Sequence, residues 1–194
     1  MTHILLIGAN GQLARHATAR LLAATDARLS LFLRRAHRLP NPAPARVRML
    51  EGDATDVAAL QAAMQGVDVV YASLSGDLPR MATAIVAAMR AAGVRRLIFV
   101  SSMGIHGEVP GEPYRSVLDP YRDAAAIVEA SGLDYTILRP GWFTHQKGER
   151  YQLTQKGQPF IGHDVPLNAL AQLSVDLATT PGLHTGCSVG VSTA

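Results

Sequence analysis

Short apolar runs and alanine-rich stretches alternate along almost the whole chain. The apolar runs are rich in Val, Ile and Leu and have the length of buried strands; they occupy 4–8, 29–33, 47–50, 67–73, 96–102, 134–140 and 187–192. The alanine-rich stretches have the spacing of helices and occupy 11–24, 56–65, 79–92, 120–131 and 165–178. Strands that alternate with helices are joined by right-handed crossovers and pair in parallel. We therefore expect an α/β fold with a mainly parallel sheet of about six to seven strands and helices on both faces.

One interruption of this alternation is long. Residues 141–164 contain the stretch YQLTQKGQPF, which predicts a β-hairpin that turns at Lys156 and Gly157. An insertion after a late strand of a doubly wound sheet lies at the carboxyl edge, where ligands bind. We expect this small insertion to contact the substrate within a single domain spanning 1–194, because 194 residues are few for two domains.

The composition excludes several classes of protein. Hydrophobic residues make up 48% of the chain and charged residues 17%, which argues against disorder. The net charge is only +3 and the basic residues are scattered, so we expect no nucleic-acid partner. Cys187 is the single cysteine and the histidines lack metal-ligand spacing, so we expect no disulfide and no metal site. No run approaches the roughly 18 apolar residues of a membrane span, and we expect a cytoplasmic protein with no membrane partner.

The turn between the first strand and the first helix has the spacing Gly8-x-x-Gly11-x-x-Ala14. Gly8 permits a turn that a Cβ would obstruct, Gly11 lets the backbone approach a pyrophosphate, and Ala14 allows close packing of helix on strand. The N-terminus of the helix then faces the phosphates. Because this turn opens a βαβαβ array, it favours nucleotide binding in a Rossmann-type, doubly wound fold. A tight corner without a ligand and an S-adenosylmethionine site are the alternatives.

The end of the second strand, LFLRRAHR, bears on the choice between the two nicotinamide dinucleotides. About 20 residues past the glycine turn, a protein that binds NAD has Asp or Glu for the ribose hydroxyls. Arg34 and Arg35 stand there instead, and guanidinium groups pair well with a 2′-phosphate. We therefore predict NADP(H) in preference to NAD(H). The alternative is a basic strand end that is merely solvated.

The stretch EGDATD (51–56) follows the third strand and allows two interpretations. Asp53 and Ala54 would meet the adenine edge of a dinucleotide. Asp56 or Thr55 as a helix N-cap explains part of the same string. Both interpretations stay open at the level of sequence.

Six stretches of the chain together resemble the atypical short-chain dehydrogenase/reductases. The nearest group is the NAD(P)H-binding, NmrA-like set that also contains the flavin/biliverdin reductases. The resemblance covers nearly the whole chain in the right order, and it is carried by IGANGQLA, LRR, EGDATD, VDVVYASLSG, LIFVSSMG and SGLDYTILRPGWF.

The resemblance implies a role for a set of residues at the strand ends. Those that would hold the pyrophosphate are Gly8, Asn10, Gly11, Gln12 and Leu13. Those that would contact the 2′-phosphate and the adenine are Arg34, Arg35, Asp53 and Ala54. Those that would line the two ribose rings and the nicotinamide are Ser73, Leu74, Ser75, Ser101, Ser102, Pro140, Gly141, Trp142 and Phe143. Without the resemblance, Trp142 and Phe143 would be interpreted as core or lid hydrophobes.

The chain departs from the usual catalytic pattern of short-chain reductases. A Tyr-x-x-x-Lys pair is typical, because the ammonium lowers the pKa of the phenol. No tyrosine here has that lysine: Tyr121 stands at the family position, and Ala125 follows it where lysine is expected. Ser102 and Tyr121 are the candidate catalytic residues. Ser102 would orient an acceptor or satisfy the local backbone at a strand end.

Two classes of function follow. The first is an NADPH-dependent reductase that transfers hydride to a flavin, a quinone or a similar conjugated small molecule, which needs positioning more than acid catalysis. The second is a non-catalytic sensor or regulator that binds NADP(H). A sugar-nucleotide epimerase or dehydratase is disfavoured, because those relatives carry the tyrosine–lysine pair. A monomer and a homodimer both stay open.

Overall fold

All seven predicted strands and all five predicted helices form, with ends that differ from the predicted ones by two residues or fewer. The computed structural model describes residues 1–193. Its strands and helices, in chain order, are β1 (His3–Ile7), α1 (Gln12–Ala24), β2 (Arg28–Leu33), β3 (Val47–Glu51), α2 (Val57–Ala63), β4 (Val69–Ser73), α3 (Leu78–Ala92), β5 (Arg96–Val100), α4 (Asp119–Glu129), β6 (Asp134–Pro140), β7 (Trp142–Thr144), β8 (Gln152–Gln155), β9 (Asp164–Pro166), α5 (Leu167–Thr179) and β10 (Cys187–Ser192).

Eight of the strands form one sheet in the order β3-β2-β1-β4-β5-β6-β10-β8. Every neighbouring pair is parallel except β10 and β8, which are antiparallel. The chain builds outward from β1 to β3 on one side and then returns to place β4 on the other side of β1. This reversal leaves a crevice at the carboxyl ends of β1 and β4, as in other doubly wound sheets. The fold class is therefore confirmed, with one strand more than the predicted six to seven.

The additional strand comes from the segment that was predicted to be a hairpin, and that prediction is wrong in its pairing. The turn at Lys156 and Gly157 forms, but residues 158–163, which would be the second strand of the hairpin, make no strand. Instead β8 pairs with β10, with Thr154 opposite Gly190. The edge of β10 offers a row of unpaired backbone groups, which β8 satisfies. After the turn, Phe160 is buried over Gly190, where a Cβ would come within 2.7 Å of the Phe160 ring.

The sheet separates two hydrophobic cores. One contains the buried faces of α1 and α5, and the other contains those of α2, α3 and α4. Small residues let these helices lie close to the strands, for example Ala14 and Ala17 in α1 and Ala124 and Ala125 in α4, all fully buried. Within residues 1–193, no helix combines the length and the apolar character needed to cross a bilayer.

Arginine side chains close the C-termini of α1 and α5, two helices that end at a threonine and not at a left-handed glycine. Arg46 donates to the carbonyl oxygens of Leu22 (3.0 Å), Thr25 (2.7 Å) and Ala27 (2.9 Å) at the end of α1. Arg96 donates in the same way to Leu177 (3.2 Å) after crossing from β5. A cation at a helix C-terminus also complements the helix dipole.

We expect Arg46→Met to lower the free energy of unfolding by about 2 kcal/mol, because hydrogen bonds from a charged donor are lost and carbonyl groups lose their partner. Urea unfolding followed by circular dichroism measures this value. Arg48→Met on the exposed side of β3 is the matched control and should change the free energy little. Equal effects of the two substitutions would contradict the capping role.

Candidate functional site

A cleft of about 420 Å³ lies over the carboxyl ends of β1, β2, β3 and β4, where the strand order reverses. We call it the switch-point cleft. Ten of the residues predicted to bind a cofactor line it: Gly8, Asn10, Gly11, Arg34, Arg35, Asp53, Ala54, Ser73, Leu74 and Ser75. The other lining residues include Phe32, Arg38 and Met81. The sequence prediction therefore grouped residues that are far apart in the chain and adjacent in the fold.

The turn after β1 is shaped by a close backbone contact. Gly8 has a φ of +81°, and a Cβ there would lie 2.1 Å from the carbonyl oxygen of Ser73 at the end of β4. Gly11 has ordinary extended backbone, with a φ of −64°, and its N–H donates to the Gly8 carbonyl oxygen at 2.9 Å. Glycine at position 8 is thus required both by conformation and by space.

The N-terminus of α1 opens directly from this turn. Gly11 is its N-cap, and no side chain among the described residues accepts a hydrogen bond from the first turn of the helix. No acidic residue occupies that turn either. Free backbone N–H groups and the positive end of the helix dipole together attract an anion.

Three arginines surround the other end of the switch-point cleft. Arg34 and Arg35 follow β2, and a short 3₁₀ turn over Ala36–Arg38 brings Arg38 to the same wall. The sequence analysis missed Arg38, although it stands in the quoted LFLRRAHR stretch, because only the 3₁₀ turn brings it back to the cleft.

Asp53 and Asp56 have different roles, and together they account for both interpretations that the sequence left open: a residue of the cleft and a helix N-cap. The Asp53 carboxylate accepts hydrogen bonds from the backbone N–H and the hydroxyl of Thr55, both at 2.8 Å. These bonds lower the pKa of Asp53, and the nearby charges of Arg34 and Arg80 lower it further. Asp56 is the N-cap of α2, accepting from Ala59 N–H at 3.0 Å. The capping interpretation is therefore correct for Asp56, while Asp53 lies on the wall of the cleft.

A second cavity of about 330 Å³ lies beyond the carboxyl ends of β5 and β6, and we call it the Tyr121 pocket. Its predicted members are Ser102, Tyr121, Pro140, Gly141 and Trp142. The sequence analysis missed the loop residues that complete it: Met103, Gly104, Gly107, Val109, Glu112, Pro113, Tyr114, Arg115, Val117 and Leu118. The two cavities are neighbours, since Ser73 at the end of β4 pairs with Val100, two residues before Ser102.

The wall formed by Gly141 and Trp142 is held by a second close backbone approach. A Cβ at position 141 would lie 2.2 Å from the carbonyl oxygen of His163, and that oxygen accepts a hydrogen bond from Trp142 N–H at 2.9 Å. Trp142 belongs to β7, which pairs with β9 outside the main sheet. Trp142 is 56% exposed, so it forms part of the pocket rim and not of the core.

Within residues 1–193, neither candidate catalytic residue has a charged partner. Ser102 Oγ donates to the Met103 carbonyl oxygen at 3.0 Å, the local backbone contact expected of a strand-end serine. Tyr121 is half-buried, and Ala125 one turn later is completely buried in the core. Among the described residues that line the Tyr121 pocket, none is a lysine, and Arg115 is the basic one. The pocket therefore holds a phenol without an adjacent ammonium.

Four predicted residues lie outside both cavities. Leu13 is buried in the core, so only its backbone N–H is available to a ligand. Ser101 Oγ donates to the Tyr121 carbonyl oxygen at 3.3 Å and ties α4 to the end of β5. Gln12 Nε2 lies 2.9 Å from Nε2 of His145, and Phe143 is 39% exposed in β7.

Two solved structures share this architecture over nearly their whole length. A Rossmann-fold NAD(P)-binding family protein from Shigella flexneri is 41% identical, with a TM-score of 0.88 over 100% of this chain and 94% of that chain. A short-chain dehydrogenase/reductase from Veillonella parvula DSM 2008, solved in complex with NADP, is 28% identical, with a TM-score of 0.90 over 98% of this chain and 94% of that chain.

Sequence comparison gives a consistent assignment. A Bacillus subtilis (strain 168) protein named uncharacterized sugar epimerase YhfK is 32% identical over 165 residues, 75% of this chain and 74% of that protein. Quinone oxidoreductase 2 of Escherichia coli (strain K12) is 27% identical over 150 residues, 73% of this chain and 49% of its own length, so the aligned region spans about half of that relative. The model of the NAD(P)H-binding family matches residues 8–181, from the glycine turn to the end of α5. The chain therefore belongs to the NAD(P)H-binding family of atypical short-chain dehydrogenase/reductase-like proteins.

Proposed function

We propose that the protein is an NADPH-dependent reductase that passes a hydride to a quinone, a flavin or a similar conjugated acceptor. The observation that supports this proposal most strongly is the pair of neighbouring cavities at one sheet edge. The switch-point cleft is rich in backbone donors and arginine, and the Tyr121 pocket combines apolar walls with few polar groups. Such a pair suits a dinucleotide in one cavity and a planar acceptor beside its reactive end.

The residues of the switch-point cleft fit NADP(H) chemically. The uncapped N-terminus of α1, which opens from the tight turn at Gly8, suits a pyrophosphate held by backbone N–H groups. Arg34, Arg35 and Arg38 suit a 2′-phosphate, since guanidinium groups make paired hydrogen bonds with phosphate oxygens. The structure with NADP from Veillonella parvula supports the same choice.

The Tyr121 pocket fits an acceptor that needs little acid catalysis. The dinucleotide would supply a hydride when bound, and a conjugated acceptor can take from solvent the one proton that completes its reduction. The protein then contributes to the reaction by positioning the acceptor. Trp142 and Pro140 provide flat apolar walls, and Ser102 provides a hydroxyl at the pocket. Reduction of an isolated carbonyl, by contrast, needs a phenol of lowered pKa, and the buried Ala125 leaves no place for the ammonium that lowers it.

The names of the relatives point in two directions. Quinone oxidoreductase 2 agrees with hydride transfer to a conjugated acceptor. The epimerase name of YhfK agrees with sugar chemistry, which in the short-chain enzymes uses the tyrosine–lysine pair missing here. The pocket chemistry therefore favours the reductase.

We expect Arg34→Ser and Arg35→Ser each to weaken NADPH binding by about ten- to a hundredfold, because each loses charge-assisted hydrogen bonds to the 2′-phosphate. NADH binding should change little. Isothermal titration calorimetry with both nucleotides measures the preference. Arg28→Ser, an exposed arginine at the opposite end of β2, is the matched control. Equal affinity of the wild-type protein for NADH and NADPH would contradict the assignment.

We expect Gly8→Ala to weaken NADPH binding by more than about tenfold, because the new Cβ meets the Ser73 carbonyl oxygen and displaces the turn. Gly66→Ala is the matched control: Gly66 also has a positive φ (+69°) but open space around it. That control should cost about 1 kcal/mol of stability through backbone strain alone and leave the NADPH affinity unchanged. A Gly8→Ala protein with normal affinity would exclude this turn from the cofactor site.

We expect NADPH oxidation, followed by absorbance, to depend on a quinone such as menadione or on a flavin such as FMN.

Tyr121→Phe should keep kcat/KM within about threefold of wild type, whereas loss of an essential general acid costs about a hundredfold or more. Ser102→Ala should lower kcat/KM by about fivefold, the loss of one hydrogen bond to the acceptor. Tight NADPH binding without turnover of any acceptor would replace the reductase with the sensor.

A further inference from the structure

A buried ion pair joins the loop that forms much of the wall of the Tyr121 pocket to strand β6 of the sheet. Arg139, the penultimate residue of β6, pairs with Glu108 in the loop between β5 and α4. The Arg139 side chain has no exposed surface, and the Glu108 side chain is 6% exposed. Removing two charges from water is costly, so a buried pair persists only when its remaining hydrogen bonds are also satisfied.

The remaining donors of Arg139 are used on two neighbouring strands. Its Nε donates to Ser188 Oγ at 3.1 Å and its Nη2 to the carbonyl oxygens of Thr154 (3.3 Å) and Ser188 (3.4 Å). Ser188 lies in β10 and Thr154 in β8. The Arg139 guanidinium is therefore held by hydrogen bonds to β10 and β8, in addition to its ion pair with Glu108.

The remaining acceptor capacity of Glu108 is used on its own loop. Oε1 accepts from Gly104 N–H at 3.1 Å, and Oε2 accepts from His106 N–H at 2.9 Å. Burial by itself would raise the pKa of Glu108, but the hydrogen bonds of its backbone donors and the charge of Arg139 outweigh this effect and lower it. The Glu108 carboxylate thus binds the backbone N–H groups of Gly104 and His106 and holds this turn next to the Arg139 guanidinium.

Residues 101–113 contain neither a helix nor a strand, yet they supply much of the pocket wall. Met103, Gly104, Gly107 and Val109 line the Tyr121 pocket, while Glu108 and Arg139 do not. A loop without regular structure keeps its position through such tertiary contacts.

We propose that Glu108 and Arg139 are positioning residues for acceptor binding: the buried ion pair holds loop 101–113 against the sheet and so shapes the Tyr121 pocket, without shaping the switch-point cleft. That the ligand of this pocket is a hydride acceptor rests on the proposed function. The positioning of loop 101–113 by the ion pair does not depend on the reaction.

Steady-state kinetics with menadione as the acceptor tests the proposal. Glu108→Gln should raise the KM for menadione by about tenfold, because the charged hydrogen bonds that fix the loop are lost. kcat and the NADPH dissociation constant should stay within about twofold of wild type. Arg139→Lys keeps the charge but not the forked geometry, and it should give a smaller KM increase in the same direction. Glu129→Gln, which removes a surface pair with Lys156, should leave all three values unchanged.

Hydrogen–deuterium exchange gives a readout that needs no activity. In Glu108→Gln the peptide containing the Gly104 and His106 amides should exchange faster, while the peptide over 8–13 keeps its wild-type rate. If the wild-type protein turns over no acceptor, the proposed reductase fails and this experiment alone decides the positioning role.

Three outcomes would overturn the proposal. One is unchanged exchange at 104–106 in Glu108→Gln. Another is a parallel loss of NADPH affinity and acceptor affinity, which would make the pair a contributor to overall stability. The third is an increase in KM for Glu129→Gln equal to that for Glu108→Gln. If Glu108→Gln does not fold, Arg139→Lys carries both measurements with the same criteria.

Discussion

The close approach of Gly8 to the end of β4 is the constraint on which the site depends. β1 pairs in parallel with both β2 and β4, so the chain leaving β1 must pass over the carboxyl end of β4 to enter α1. Only a residue without a Cβ passes the Ser73 carbonyl oxygen at that distance with a φ of +81°. The turn then directs the free N–H groups of α1 into the crevice made by the reversal of strand order.

The two cavities at this edge are built by different physical means. The switch-point cleft is made of strand ends and a helix terminus, which regular secondary structure positions without further help. The Tyr121 pocket is made largely of loop residues, and its walls depend on the backbone approach at Gly141 and the buried pair of Arg139 and Glu108. Loops tolerate changes of sequence more readily than the elements that they connect, so a pocket of the second kind can be reshaped for a different ligand by a changed loop.

Arginine has two structural tasks in this protein, a chain with only two lysines. Arg46 and Arg96 close helix C-termini, and Arg139 is buried in an ion pair. Arg34 and Arg35 remain exposed at the cleft. Each task uses the several fixed donors of a guanidinium, which an ammonium does not have. Net charge alone therefore says little about the ligand here, and the position of each arginine says much more.

The sequence by itself determined the elements, their order and most of the switch-point cleft. Hydrophobic periodicity is a local property, and parallel strands bring their carboxyl ends together in any βαβ array, so Gly8 and Arg34 were predicted as neighbours from the pattern itself. Ser73 was predicted there only through the resemblance to the atypical short-chain dehydrogenase/reductases. The tertiary structure alone decided where β8 pairs, that Arg38 returns to the cleft, and which loop residues complete the Tyr121 pocket. The pairing of a strand at the edge of a sheet and the pairing of a buried charge both depend on contacts between residues that are distant in the chain. Glu108 and Arg139 have no spacing in the sequence that relates them, because their contact exists only once three strands and a loop have packed.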